Sequence, residues 1–475
     1  MLPQLVEQLS DKDFTELQTE FVRTGGDNFL YLLNSLREAG FDDAAVKNKL
    51  GLSSSAYYTL KSRLTDKIQD HLFKSNSDER AELMINLSSV SHFTYGAPKA
   101  TAIGLLERLE KELLLLDMPG ELVSVYNALK KLHHSTEKYY QFQQKYNKNV
   151  AYSLAIDKAE DLLLDFNKTL GEYNFSRNHE KKTLLQLYIK ELRNINKLYE
   201  SNRLKLFMVV AELEYALLSD SLNNIPDSEN TVEDLLKVVE EIVFAHPEDR
   251  QYKFYIVIYY LLYFEYYHKL GLHKNNQSAL SFLLENYKTF FNLSDTFYLT
   301  RFFISLNERI NQTGETFDLD QLIETSSKHD SNEYPPDIIN KTLGLSAIEF
   351  AKSNYAQAEA QLNNLLNNVS LKNYFFADLE VKSFLSLVYI LQKKLENADI
   401  VLRSITRKLS SMAEKDEFEN ANMFFKLLKA SMNHTTNKEQ KIKKMYADFE
   451  LYNSRHNKIL SYLKINETHL KILSQ

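Results

Sequence analysis

Glu265-Tyr266-Tyr267-His268 sets a carboxylate and an imidazole three residues apart on one helical face. That is the repeating element of a carboxylate-bridged two-metal centre, which needs a second Glu-x-x-His and further glutamates on facing helices. The sequence contains no second copy. His133-His134 are adjacent, so on a helix they point about 100° apart and make no ligand pair. Asp157, Glu160, Asp161 and Asp165 share a helical face, and the expectation for them is solvated surface, because a cation site needs more convergent ligands. Gly25-Gly26 lacks the Lys and Ser/Thr that complete a phosphate-binding loop. With no cysteine there is no thiol catalysis, disulfide or cysteine-ligated metal. A serine nucleophile on a strand-to-helix elbow needs strands, and none is read here. No catalytic, cofactor or metal residues are therefore assigned, and the chain is expected not to be an enzyme.

One stretch has the spacing for nucleic-acid chemistry. In residues 42–73, Val46, Leu50, Gly51, Leu52, Ser53, Tyr57, Leu60, Leu64 and Ile68 resemble the apolar and turn positions of the helix-turn-helix of response regulators and sigma factors. The resemblance implies that the helix after Ser53 enters a major groove, offering Ser54, Ser55, Tyr58, Thr59, Lys61, Ser62 and Arg63. Six Lys or Arg against two acids from Lys47 to Lys74 suit phosphates. Lys47 departs from the motif, which has alanine where the two helices touch. The competing reading is a structural hairpin with Gly51 as C-cap and Ser53 as N-cap.

The elements behind these residues are helices. With 11 Gly and 7 Pro in 475 residues, breakers are too few for a strand-and-turn protein. Apolar residues make up 44% of the chain, enough for a large core, but the length exceeds what one core serves, so several domains or an elongated stack are expected. Asp11 or Asp13 is expected to cap a helix broken at Gly25-Gly26. Helices from Asn28 to Ala39 with Gly40 as the stop, from Asp42-Asp43 to Gly51, and after Ser53 follow. Ser77 opens another, Tyr95–Pro98 is a turn, and the helix of 99–117 ends at Met118-Pro119-Gly120. Asn147–Asn149 is read as a joint. Thr231 with Asp234 is a capping box. His246-Pro247-Glu248 is read as a joint between hairpins, and 311–334 as a polar connector.

A repeat lies at 340–408. Leu345-Ser346 is followed by Tyr355, Ala358, Leu362 and Leu365, and Leu385-Ser386 by Leu395, Ala398, Leu402 and Ile405, forty positions on. Small residues mark a close crossing of two helices, here Ser346 with Ala358 and Ser386 with Ala398. These units resemble tetratricopeptide repeats, with Tyr389 at the helix-A tyrosine. Ser346 stands where glycine is usual, Glu349 where tyrosine is usual, and no proline closes either unit. The chain as a whole resembles an uncharacterised bacterial family of tetratricopeptide-like proteins. The resemblance implies an all-α superhelix, a right-handed solenoid of helical hairpins, with a small helical N-terminal module.

The expected organisation is 1–95 as that module, 96–220 as long-helix hairpins of degenerate repeats, 221–434 as repeats and 435–475 as a C-terminal capping helix. A stack of this kind is expected to bind a protein or peptide partner on its A helices. The residues singled out are Tyr252, Tyr259, Tyr263, Lys382 and Tyr389. Tyr252 to Tyr266 form an aromatic stripe that lines a groove in one reading. In the other it is interior packing, since Tyr260, Phe264 and Tyr267 make the opposite face aromatic too. The second reading of function is a DNA-binding regulator using 42–73. No apolar run reaches membrane-spanning length, and no basic segment followed by an apolar run begins the chain, so a cytoplasmic location without membrane contact is expected.

Overall fold

In a computed structural model the chain is all-helical, and no strand occurs among the described residues. The structure describes every residue except 1, 8, 38–40, 76–78, 200, 219–224, 226, 229, 246–248, 288–296, 316, 318–322, 324–333, 411–414, 434–436 and 455–457. The expectations for Gly40, Ser77, His246-Pro247-Glu248 and most of 311–334 lie outside the described residues. Among the described residues no helix is long and apolar enough to cross a membrane.

Two compact units are present, Met1–Asn149 and Val150–Gln475. In the first, helices Leu2–Glu7, Asp11–Thr24, Asp27–Arg37, Asp43–Lys49 and Ser54–Ser75 enclose Val6, Leu17, Phe21, Leu32, Leu33 and Leu64. Helices Glu79–Ser88, Val90–Gly96, Lys99–Leu115 and Pro119–Leu132 enclose a second cluster around Leu106, Leu113, Val125 and Leu129. The caps follow local chemistry. Ser10, and not Asp11 or Asp13, is the first N-cap, its hydroxyl accepting the Asp13 amide. Gly25, in the left-handed region, closes that helix as a C-cap.

Residues 147–149 are not a joint. Helix Lys138–Ser176 runs through them, since the asparagines bring neither glycine nor proline and the Asn149 amide bonds the Lys145 carbonyl within the helix. The division between the two units falls inside this helix.

The second unit has two cores. One gathers Leu170, Val210, Val239, Leu262, Phe264 and Phe302 from helices spanning 138–313. The other surrounds helix Phe375–Leu391, whose residues are buried on every side but for Lys382. In the second unit most helices pack on a neighbour in sequence. The Thr231–Asp234 capping box forms as expected and opens helix Val232–Val243.

The repeat is visible in the backbone. Helices Pro335–Ala351 and Tyr355–Asn368 make one hairpin, Phe375–Leu391 and Leu395–Ser410 the next. Ser346, Ala358, Ser386 and Ala398 have no exposed surface. Ser353 and Lys393, forty positions apart, both take the left-handed conformation, with φ of 63° and 62°. The amides of Asn354 and Lys394 then bond the carbonyls of Glu349 and Tyr389 at 2.8 and 2.9 Å. Each turn thus closes its helix without the glycine that usually does so.

Ala358→Leu is expected to destabilise the second unit by about 1–3 kcal/mol, the usual cost of overfilling a close crossing. Exposed Ala356→Leu on the same helix serves as the near-neutral control, and urea denaturation measures both.

Candidate functional site

The residues singled out in the sequence do not assemble into one surface. Tyr252 and Tyr259 are buried in the first core of the second unit and Tyr389 in the second. Tyr259 packs edge-on to Phe244, and Tyr389 accepts a hydrogen bond from Asn363. Tyr263 is half-buried against Tyr267, with ring centroids 4.5 Å apart. Lys382 is half-buried and paired with Asp378 at 2.9 Å. Tyr252, Tyr259 and Tyr389 are thus buried in the packing of the second unit. The helix Arg250–Lys269 is apolar on two faces because it is covered on both.

In the first unit Gly51 makes the turn, with φ of 63°, and Ser53 accepts the Ala56 amide. Ser54, Ser55, Tyr58, Thr59, Ser62 and Arg63 are exposed along helix Ser54–Ser75. Lys61 is not presented with them. Its ammonium bonds Asp43 at 2.9 Å, and the Tyr57 hydroxyl donates to the same carboxylate at 2.7 Å. Burial works against the Asp43 charge, but these two donors outweigh it and hold its pKa below the ordinary value. Lys47 reaches Ser54 at 3.4 Å, so its long side chain bridges the helices where the motif has alanine.

The Glu-x-x-His element is committed elsewhere. Glu265 accepts from Arg301 Nε at 2.8 Å, from Arg301 Nη2 and from Ser305 at 2.9 Å. Buried Glu214 lies 3.9 Å from the same guanidinium. Burial opposes the Arg301 charge, yet Glu265 and Glu214 raise its pKa above the ordinary value. Burial, with His273, Arg309 and Lys458 nearby, lowers His268 to about 4, so this ring is neutral at neutral pH. His133 is buried against Phe142 and His134 is exposed, so they do not converge. The acidic face of 157–165 is exposed, with Glu160 3.5 Å from Arg203.

The most organised polar site is one that the sequence reading missed. The stretch 435–475, expected as a capping helix, is not one helix. Helix Lys438–Asn453 is followed by non-helical backbone at 458–466, and helix Glu467–Ser474 starts from an Asn466 cap. The non-helical strap lies against helices Phe297–Thr313 and Phe375–Leu391. Glu380 of the latter accepts the Leu460 amide at 3.0 and 3.2 Å and the Tyr462 hydroxyl at 2.5 Å. Glu308 accepts the Ser461 hydroxyl, and Asn311 donates to the Ser461 carbonyl at 3.4 Å. Ile459, Leu460 and Tyr462 are buried. Beyond the strap, His469 packs on Phe350 and bonds the Tyr355 hydroxyl at 3.0 Å. Leu460 has φ of 55°, a conformation that costs a β- or γ-branched residue about 1 kcal/mol or more and persists only where the surroundings enforce it.

This arrangement recognises backbone and hydroxyl groups in a non-helical segment that turns at 460–463, where the Leu463 amide bonds the Leu460 carbonyl at 2.9 Å. The available signals were Asn453, whose side chain takes both the amide and the carbonyl of Ile459, and the capping pair Asn466 and His469. Comparison with protein-family models, with curated proteins and with solved structures gives no match to the chain.

Burial pushes Glu380 up to about 7 from an ordinary 4.5, although Tyr462 and the Leu460 amide pull it down. Folding therefore takes up a proton between those values. The stability this group contributes is fully present below 4.5 and is lost as pH rises through about 7. The urea midpoint of the second unit is expected to fall over that window, and Glu380→Gln is expected to flatten the fall. An unchanged profile in the variant contradicts the assignment.

Proposed function

We propose that the chain is a non-enzymatic, tetratricopeptide-like scaffold that holds a non-helical segment of a protein partner on the helix faces under residues 458–465. The observation that carries this reading is the strap itself. A non-helical segment is bound across two helices by contacts to its backbone and hydroxyls, which is how a stack of hairpins would hold a peptide. The packing order supports the stacked architecture. Helix Asn202–Leu218 meets Arg250–Lys269 across Val232–Val243, Phe375–Leu391 meets Glu419–Met432 across Leu395–Ser410, and Arg250–Lys269 meets Phe297–Thr313. One hairpin leaves a face uncovered, and the next covers it.

A labelled peptide of residues 458–475 tests the reading. Ser461→Ala with Tyr462→Phe in the full chain loosens its own strap, and fluorescence anisotropy then measures peptide binding in trans. Wild type is expected to bind at least about tenfold more weakly than the double variant, because a tethered segment competes at millimolar effective concentration. Adding Glu380→Ala should abolish binding. No binding by a double variant that keeps its helical circular dichroism contradicts the reading.

A second reading, a DNA-binding regulator acting through 42–73, draws on the exposed face from Ser54 to Arg63. Under it, Arg63→Glu should weaken DNA retention and reduce the salt slope by about one. Under the scaffold reading, neither protein retains DNA in a low-salt mobility shift.

A further inference from the structure

Asp13 and Glu16 stand one turn apart on helix Asp11–Thr24, and His71 faces them from helix Ser54–Ser75. One ligand atom from each lies within 4.8 Å of the others. His71 Nε2 is 3.5 Å from Asp13 Oδ1 and 3.6 Å from Glu16 Oε2. Those separations are long for charge-assisted hydrogen bonds, which favour about 2.7–2.9 Å. They match the edges of a tetrahedron around an ion bonded at about 2.0–2.2 Å, which run to about 3.3–3.6 Å. His71 Nε2 is buried and makes no hydrogen bond among the described residues, and its side chain is only 11% exposed.

The surroundings are built to present the ligands. The Ser10 hydroxyl donates to Asp13 Oδ2 at 2.5 Å, which leaves Oδ1 as the oxygen turned toward His71. Orientation of a ligating carboxylate through its other oxygen is what an outer shell does for a metal. Two described cations of these helices are engaged with other groups. Lys67, one turn before His71, lies over the rings of Phe21 and Phe29, and Arg37 pairs with Asp11. Phe14 and Leu17, on the same helix as the carboxylates, are buried beside them. Glu16 is 47% exposed, so the fourth position opens to solvent.

We propose that Asp13, Glu16 and His71 bind a divalent transition-metal ion, zinc foremost, which clamps helix Asp11–Thr24 to helix Ser54–Ser75. One imidazole and two carboxylates suit zinc, with a water in the fourth place, whereas magnesium and calcium prefer oxygen alone. Neutral imidazole is the ligand form, so the ion takes the place of the proton that an ion pair would need.

The test uses the full chain, stripped with chelator and titrated with zinc chloride by calorimetry. One zinc per chain is expected at a site that His71→Ala weakens by at least about a hundredfold, the upper end of what loss of an outer-shell contact alone costs. Glu16→Gln, at a half-exposed position, should weaken it while leaving circular dichroism unchanged. Zinc should also raise the thermal midpoint of wild type reversibly, and not that of His71→Ala. Absence of saturable zinc uptake by wild type overturns the proposal. So does equal uptake by folded His71→Ala, or magnesium bound as tightly as zinc.

Discussion

Helix Phe375–Leu391 is covered on nearly every side, and the second unit depends on meeting the cost of that burial. Its apolar side chains find partners readily. Its carboxylates do not, because a buried charge without hydrogen bonds costs several kcal/mol. Asp378 is answered by Lys382 on the next turn and Lys408 from the following helix. Among the described residues Glu380 has no cation in bonding contact. It is answered by the Leu460 amide and the Tyr462 hydroxyl, from a segment eighty residues later. The strap is thus needed to satisfy the helix, and the helix to hold the strap out of helical conformation.

The same logic runs through the neighbouring core. Arg301 joins Glu214 and Glu265 where three helices meet, and Arg309 bonds Asn276, Gln277 and Glu315. Polar groups paired between helices fix a register that apolar packing alone would leave free to slide. In this chain they also take up residues that in isolation look like chemistry. Glu265 is an arginine's partner, and its spacing to His268 follows from a helix face turned inward.

Much of the architecture was legible. Ser346, Ala358, Ser386 and Ala398 mark close crossings because only small residues fit there, and all four are fully buried. The Thr231 capping box was legible because both partners lie within one turn. The turns at Ser353 and Lys393 were not, since left-handed backbone at serine and lysine is enforced by the hairpin and not by residue type. Asn147–Asn149 looked like a joint because asparagine favours caps, yet tertiary packing carries the helix through. The tyrosine stripe was ambiguous in principle, as a groove and a core are lined by the same residues. The strap was invisible because its partners Glu308 and Glu380 are distant in sequence. The triad at Asp13, Glu16 and His71 was hidden for the same reason.

The proposed scaffold requires the strap to be a bound segment, separable from the helices it covers. Native-state hydrogen exchange at increasing denaturant measures this directly, since local openings and global unfolding are resolved by their dependence on denaturant. The account predicts that amides of 458–466, Leu460 among them, exchange through a small opening while helices Phe375–Leu391 and Glu419–Met432 stay protected. Exchange of the strap only together with those helices, with the same free energy and the same denaturant dependence, would contradict it.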